Sequence, residues 1–150
     1  MMPAVFAFLH HLAAFALVAA LAVEFVLMRG ELTAANARRI QIADLVYGLA
    51  AGVVLAVGLL RVFYFEKGAA YYFHSVPFLI KFGLFVVIGL LSIYPTLEFL
   101  SWSKSLKQAV PPAIGDAKRR RLRLIIHIEL AAIVVLLLGA ALMARGIGRF

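Results

Sequence analysis

The segment FLHHLAAFALVAALAVEF, residues 8–25, is apolar except for two adjacent histidines and one glutamate. It lies within an apolar run that extends from about residue 5 to residue 28. An α-helix rises about 1.5 Å per residue, so a run of this length crosses a hydrocarbon layer about 30 Å thick. The segment therefore predicts a membrane-spanning helix. Its ionisable groups need an explanation, because charges are costly inside a membrane.

The remainder of the chain has the same apolar character. Of its 150 residues 65% are hydrophobic and its mean hydropathy is +1.04, whereas soluble domains are about half apolar. Further apolar runs cover about residues 42–60, 76–100 and 124–144. Backbone groups in lipid must pair within their own segment, so these runs predict helices. We therefore expect an all-α protein, an integral membrane four-helix bundle that forms a single domain over residues 1–150.

The distribution of basic residues predicts the orientation of the bundle. Ten Lys and Arg residues lie in the loops between the first and second runs and between the third and fourth runs, against four on the other side. Basic loops remain in the cytoplasm, so we expect both termini on the non-cytoplasmic side of a bacterial inner membrane. The formal net charge of +8 then needs no nucleic-acid partner.

With this orientation, the ionisable residues of the spans fall into two layers, each at one depth. The outer layer, near the termini, comprises His10, His11 and Lys81, with Arg61 and His74 at its boundary. The inner layer, near the basic loops, comprises Glu24, Asp44, Tyr47, Tyr94, Glu98, His127 and Glu129. Residues near span ends are expected to snorkel or pair, whereas Lys81 lies among apolar neighbours and requires a partner.

Helical phase separates the two histidines of the first span. Neighbours on a helix point about 100° apart, so His10 and His11 do not aim at one centre. His10 and Glu24 are fourteen residues apart, nearly four helical turns, and share a face. If this face looks into the bundle, His10 is the inner histidine, and His11 points to a neighbouring helix, the membrane surface or another subunit.

The outer layer has the chemistry of a haem b site. Haem needs axial ligands, an apolar slot for the ring and cations for its propionates. His10 or His11 would ligate the iron, and the alanines of the first span leave room for the ring. The cations would be Arg61 or Lys81, with His74 beside them. The chain has no cysteine, so covalently attached c-type haem and thiolate metal sites are excluded.

Several segments resemble known membrane proteins. LHHLAAF (9–15), ARRIQIADLVYG (37–48), FLIKFGLFVVIGLLSIYPTLEFL (78–100) and RRLRLIIHIELAAIVVLLL (120–138) are similar to a family of small bacterial four-helix membrane proteins of unknown function. More distantly, they resemble the HemJ-type protoporphyrinogen oxidases and the CopD-like membrane domains. The resemblance implies haem b, a porphyrinogen substrate and a quinone acceptor. His10 or His11 would then be the metal ligand, and Lys81 its catalytic partner.

The chain departs from the HemJ pattern in its fourth helix, where Ile128-Glu129 stands in place of an Asn-Glu pair. Two other functions therefore remain open. In a proton- or ion-coupled transporter, the inner carboxylates and His127 would relay the ion. In a non-enzymatic assembly subunit or homo-oligomer, the small residues of GLAAG (48–52) with Ala56 would form a helix-packing face.

Overall fold

The computed structural model describes residues 1–65 and 69–147. Within these residues, four helices are long enough and apolar enough to cross a membrane, which confirms the predicted fold class. The second helix continues through a π-helical turn at Arg61–Phe65. The helices are α1 (Met2–Arg29), α2 (Ala34–Leu60), α3 (Ala69–Phe73), α4 (Val76–Ser101), α5 (Ser103–Lys107) and α6 (Asp116–Ala144).

Two of the long helices begin well before the predicted spans. The helix α2 starts at residue 34 and α6 at residue 116, eight residues before the predicted starts at 42 and 124. Thr33 caps α2 by accepting a hydrogen bond from the backbone N–H of Asn36 at 3.1 Å. The added turns are rich in Arg, Lys, Gln and Ala, which favour helix. Hydropathy identifies only the part of a helix that lies in lipid, whereas these helices continue into the polar region.

The four long helices form a closed ring. The helix α1 packs along α2, and α4 packs along α6, while α1 also contacts α6 and α2 contacts α4. Large apolar side chains cover the outside of all four helices, as at Phe15, Leu49, Leu90 and Leu137. An apolar surface of this extent is incompatible with water and suits lipid. The protein is therefore a multi-pass membrane protein whose outer surface contacts the bilayer.

Basic side chains join the loops at one end of the bundle. Arg119 donates hydrogen bonds to the backbone carbonyls of Met28 and Gly30, at the C-terminal end of α1. Arg38 donates to the carbonyl of Leu106 at 2.6 Å. The last carbonyls of a helix have no partner within the helix, so these arginines satisfy groups that would otherwise need water. These two arginines join the loops at this end of the bundle. We call it the basic end.

Candidate functional site

An apolar cleft with polar groups at its two ends runs between the four long helices. Its cavity has a volume of about 220 Å³, and its polar lining comes from His10, Lys81 and Tyr47. His10 and Lys81 mark the end nearer the termini, and Tyr47 marks the other end. The walls between them are aliphatic and aromatic, with Ala14, Ala51, Val54, Leu55, Phe82, Phe85, Ile88, Ile133 and Leu136 among the lining residues.

His10 and Lys81 lie together at the outer end of this cleft. The charge of Lys81 acts on His10, and the charge of Arg61 acts on both side chains. These three outer-layer residues are therefore neighbours, contributed by α1, α4 and the π-helical turn after α2. His10 faces the interior, as its shared face with Glu24 predicts, and Lys81 is partly buried.

Two glycines let the helices approach closely at His10 and Lys81. A Cβ atom added at Gly58 would lie 3.3 Å from Cε1 of His10, and one added at Gly139 would lie 3.3 Å from the carbonyl oxygen of Pro77. The imidazole of His10 also contacts the backbone of Val54. Its Nδ1 atom is buried and has no hydrogen-bond partner among the described residues. The imidazole therefore keeps one nitrogen available in a buried position.

The other two outer histidines do not join this group. His11 is exposed, and its Nδ1 bonds the carbonyl of Ala7 at 2.6 Å. His74 is exposed too, with Nδ1 2.7 Å from the carbonyl of Ala70. The rings of His10 and His11 are 6.0 Å apart and nearly perpendicular, at 84°. The two rings therefore do not face one centre, because helical phase turns one ring inwards and the other outwards.

Three carboxyl groups form the inner site, which we call the carboxyl cluster. Glu24 is 1% exposed, Asp44 8% and Glu129 2%. They come from α1, α2 and α6, and the charges of Asp44 and Glu129 both act on Glu24. Carboxylates that are buried close together repel one another when they are ionised. The three acids therefore form one electrostatically coupled group.

Hydroxyl groups complete the cluster and connect it with the cleft. Thr96 donates to Oδ1 of Asp44 at 3.2 Å, and Ser92 donates to Oε1 of Glu129 at 2.7 Å. The hydroxyl of Tyr47 lies 2.8 Å from Oγ of Ser92, and Tyr47 itself lines the cleft. A continuous line of polar atoms thus runs from the cleft to Glu129.

The remaining inner-layer residues lie elsewhere, so the predicted inner layer is too broad. Glu98 accepts a hydrogen bond from Nε1 of Trp102 at 3.0 Å and pairs with Lys118 at 3.3 Å, near the basic end. His127 is exposed beside the ring of Phe25. It precedes Glu129 by two residues and therefore points about 200° away on the helix. Tyr94 lies near Arg121, with 3.4 Å between its hydroxyl and Nη1.

Within the small-residue segment of α2, Ala50 is buried in the core, whereas the glycines and Ala56 do not pack against the other described helices. Gly48, Gly52 and Ala56 are exposed, and a Cβ atom at either glycine would meet no atom within 4 Å. Three other residues at the two sites were not identified from the sequence: Gly58, Ser92 and Thr96. Ser92 and Thr96 are four residues apart, and this helical spacing within an apolar run is a signal that could have identified them.

Within the described residues, no group of three or more histidine or acidic side chains is arranged to hold a metal ion.

Comparison with known proteins gives one match. No curated protein and no solved structure matches the chain, so the resemblance to HemJ-type and CopD-like proteins has no support from them. The model of one family, described as predicted membrane protein (DUF2214), matches residues 2–148. The chain therefore belongs to this family of predicted membrane proteins, DUF2214.

Proposed function

We propose that the protein binds a quinone-type ligand in the cleft and serves quinone-linked redox chemistry in a bacterial inner membrane. The observation that supports this proposal is that His10 and Lys81 both line one end of an otherwise apolar cavity. A quinone has the matching parts, since its carbonyl oxygens accept hydrogen bonds and its isoprenoid chain is apolar. Lys81 donates to a carbonyl oxygen of the head group, and His10 lies beside it.

The depth of the polar end agrees with a ligand that enters from the lipid. Lys81 is five residues from the start of α4 at Val76, or about 7.5 Å by the helical rise. A lipid-soluble ligand with a polar head carries that head near the interface and its chain towards the middle of the bilayer. The cleft has the same order, because its apolar walls continue from Lys81 towards Tyr47.

The size of the cavity favours a ligand whose head group has one or two rings over a larger ligand such as a porphyrin. Its volume of about 220 Å³ lies between that of a cavity that holds benzene, about 150 Å³, and the pockets of roughly 300 Å³ and more that hold drug-sized ligands. A quinone head group fits this interval. Haem b or a porphyrin would require the helices to separate.

Haem b remains a second candidate because of one specific observation. Nδ1 of His10 is buried without a hydrogen-bond partner among the described residues, and ligation of iron would supply the missing partner. Arg61 and Lys81 act on the same histidine and would face the propionates. A porphyrinogen substrate, as the HemJ resemblance implies, belongs to this second candidate.

Titration of the purified protein in lipid nanodiscs with decyl benzoquinone tests the first candidate. Replacing Lys81 by methionine removes the ammonium and retains much of the length. Since a hydrogen bond from a charged group contributes roughly 1.5–3 kcal/mol, we expect Lys81→Met to weaken binding at least about tenfold. The matched control is Lys104→Met, whose exposed side chain lies at the basic end. Equal affinities of the two variants would contradict the proposal.

An absorption spectrum of the protein purified after haem supply tests the second candidate. A Soret band that His10→Ala abolishes and His11→Ala preserves would establish haem at His10. Wild-type protein without such a band excludes haem b and leaves the quinone titration unaffected.

A further inference from the structure

We infer that the carboxyl cluster is a proton-binding site that exchanges its protons with the cleft through Tyr47 and Ser92. This inference goes beyond the proposed ligand, because it concerns groups on the opposite side of Tyr47 from Lys81 and holds whatever occupies the cleft.

Among the described residues, no basic side chain acts on the acids of the cluster. The charged groups that act on Glu24 and Glu129 are other members of the cluster, and α4 contributes only the hydroxyls of Ser92 and Thr96. An ionised carboxylate is costly in an apolar interior unless it is paired. Three carboxylates ionised together would also repel one another. Protons therefore have to occupy the site.

One oxygen of the cluster has an unfilled bonding position. Oε1 of Glu24 is buried and has no hydrogen-bond partner among the described residues, and its residue is 1% exposed. A buried acceptor without a donor costs about 1–3 kcal/mol. In a network with a purely structural role, we would expect this oxygen to have a hydrogen-bond donor. In a site that takes up and releases protons, an oxygen lacks a donor in one of the protonation states.

An apolar layer separates the cluster from the basic end. Each of the four helices places a fully buried apolar residue about one turn from the cluster on that side: Met28, Ile40, Phe99 and Ile126, at 1%, 0%, 1% and 0% exposure. These side chains put close-packed apolar groups between the cluster and the basic end. This layer contributes no polar side chain that could pass a proton towards the cluster.

The opposite side of the cluster meets the floor of the cleft. There, Ile88 and Ile133 are apolar, and Tyr47 is the residue that both lines the cavity and bonds the network. Its hydroxyl can accept a proton from one side and donate one to the other, and the hydroxyl of Ser92 can do the same. Tyr47, Ser92 and Glu129 thus form a route whose oxygens are separated by 2.8 Å and 2.7 Å.

Infrared spectroscopy of the protein in nanodiscs tests the inference without any ligand. Protonated carboxyl groups have a C=O stretching band that shifts when deuterium replaces the proton, so transfer into D₂O reports the exchange rate. We expect Glu24→Gln or Asp44→Asn to alter this band. We expect Tyr47→Phe, which retains the ring and removes the hydroxyl, to slow exchange about tenfold.

Tyr94→Phe is the matched control, because Tyr94 lies beside Arg121 near the basic end and outside the route. Ser92→Ala is a second variant on the route and should slow exchange like Tyr47→Phe, with circular dichroism to check that both variants remain helical. Exchange at the wild-type rate in both route variants would overturn the inference, and so would a band insensitive to Glu24→Gln and Asp44→Asn.

Addition of decyl benzoquinone separates this inference from the proposed function. If the quinone occupies the cleft, it should slow exchange in the wild type, because it covers Tyr47 and excludes water. If the quinone has no effect while Tyr47→Phe still slows exchange, the proton site stands and the quinone proposal fails.

Discussion

The hydroxyl of Tyr47 lies 2.8 Å from Oγ of Ser92, and these two atoms join the cleft to the carboxyl cluster. Tyr47 is on α2 and Ser92 on α4, two helices that pack against each other less extensively than α1 packs against α2 or α4 against α6. This hydrogen bond therefore connects the cleft with the carboxyl cluster. It also links the α1–α2 pair of helices to the α4–α6 pair.

The first prediction concerns the stability that Ser92 provides. Ser92→Ala removes the hydroxyl between Tyr47 and Glu129, and hydrogen bonds between membrane helices contribute about 0.6–1.7 kcal/mol each. We expect the free energy of unfolding in mixed micelles to fall by about 1–2 kcal/mol. Ser101→Ala is the control, because Ser101 is exposed and bonds the carbonyl of Glu98 in its own helix. A loss of the same size in the control would contradict a role for the interhelical bond.

The second prediction concerns the close approach of α4 and α6. Gly139→Ala places a Cβ atom 3.3 Å from the backbone carbonyl oxygen of Pro77, and backbone moves less readily than a side-chain tip. We expect a loss of about 1–3 kcal/mol from this overpacking. Gly83→Ala is the matched control, because nothing lies within 4 Å of its added Cβ. Thermal unfolding of the two variants measures the difference, and equal midpoints would show that the helices separate without cost.

The third prediction concerns the basic end. Arg119→Met removes the donor to the carbonyls of Met28 and Gly30, so the turn between α1 and α2 should open. We expect limited proteolysis to cut this turn several-fold faster, because local opening governs cleavage there. Arg120→Met is the control, since Arg120 is exposed one position along the same helix. Faster cleavage in both variants would indicate a general effect of charge.

The fourth prediction concerns orientation, and the chain is well suited to its test. It contains no cysteine, so a thiol reagent labels only a cysteine that is introduced by substitution. With both termini on the non-cytoplasmic side, a membrane-impermeant maleimide should label Arg145→Cys in intact cells. It should label Lys104→Cys only after permeabilisation. The reverse pattern would show that the count of basic residues misleads for this chain.

The two polar sites differ in how far sequence reasoning predicted them. Helical phase distinguishes His10 from His11, because adjacent residues cannot share a face. The same reasoning predicts that His127 and Glu129 diverge, whereas depth alone assigns both to the inner layer. In the structure His127 is exposed and Glu129 is buried. The position of a residue along a helix gives the depth of its side chain in the membrane. The direction in which the side chain points depends on helical phase and on where the neighbouring helices lie.

The length and hydropathy of the apolar runs are sufficient to assign this chain as a four-helix membrane protein. Lipid offers no hydrogen-bond partners to the backbone, so apolar runs of this length must be helical regardless of their neighbours. Which polar groups become neighbours depends on the packing of the helices: Glu24 lies near Asp44, Tyr47 near Ser92, and His10 near Lys81. Each of these pairs joins two helices, and which faces meet depends on how the side chains pack, which periodicity within one helix does not record.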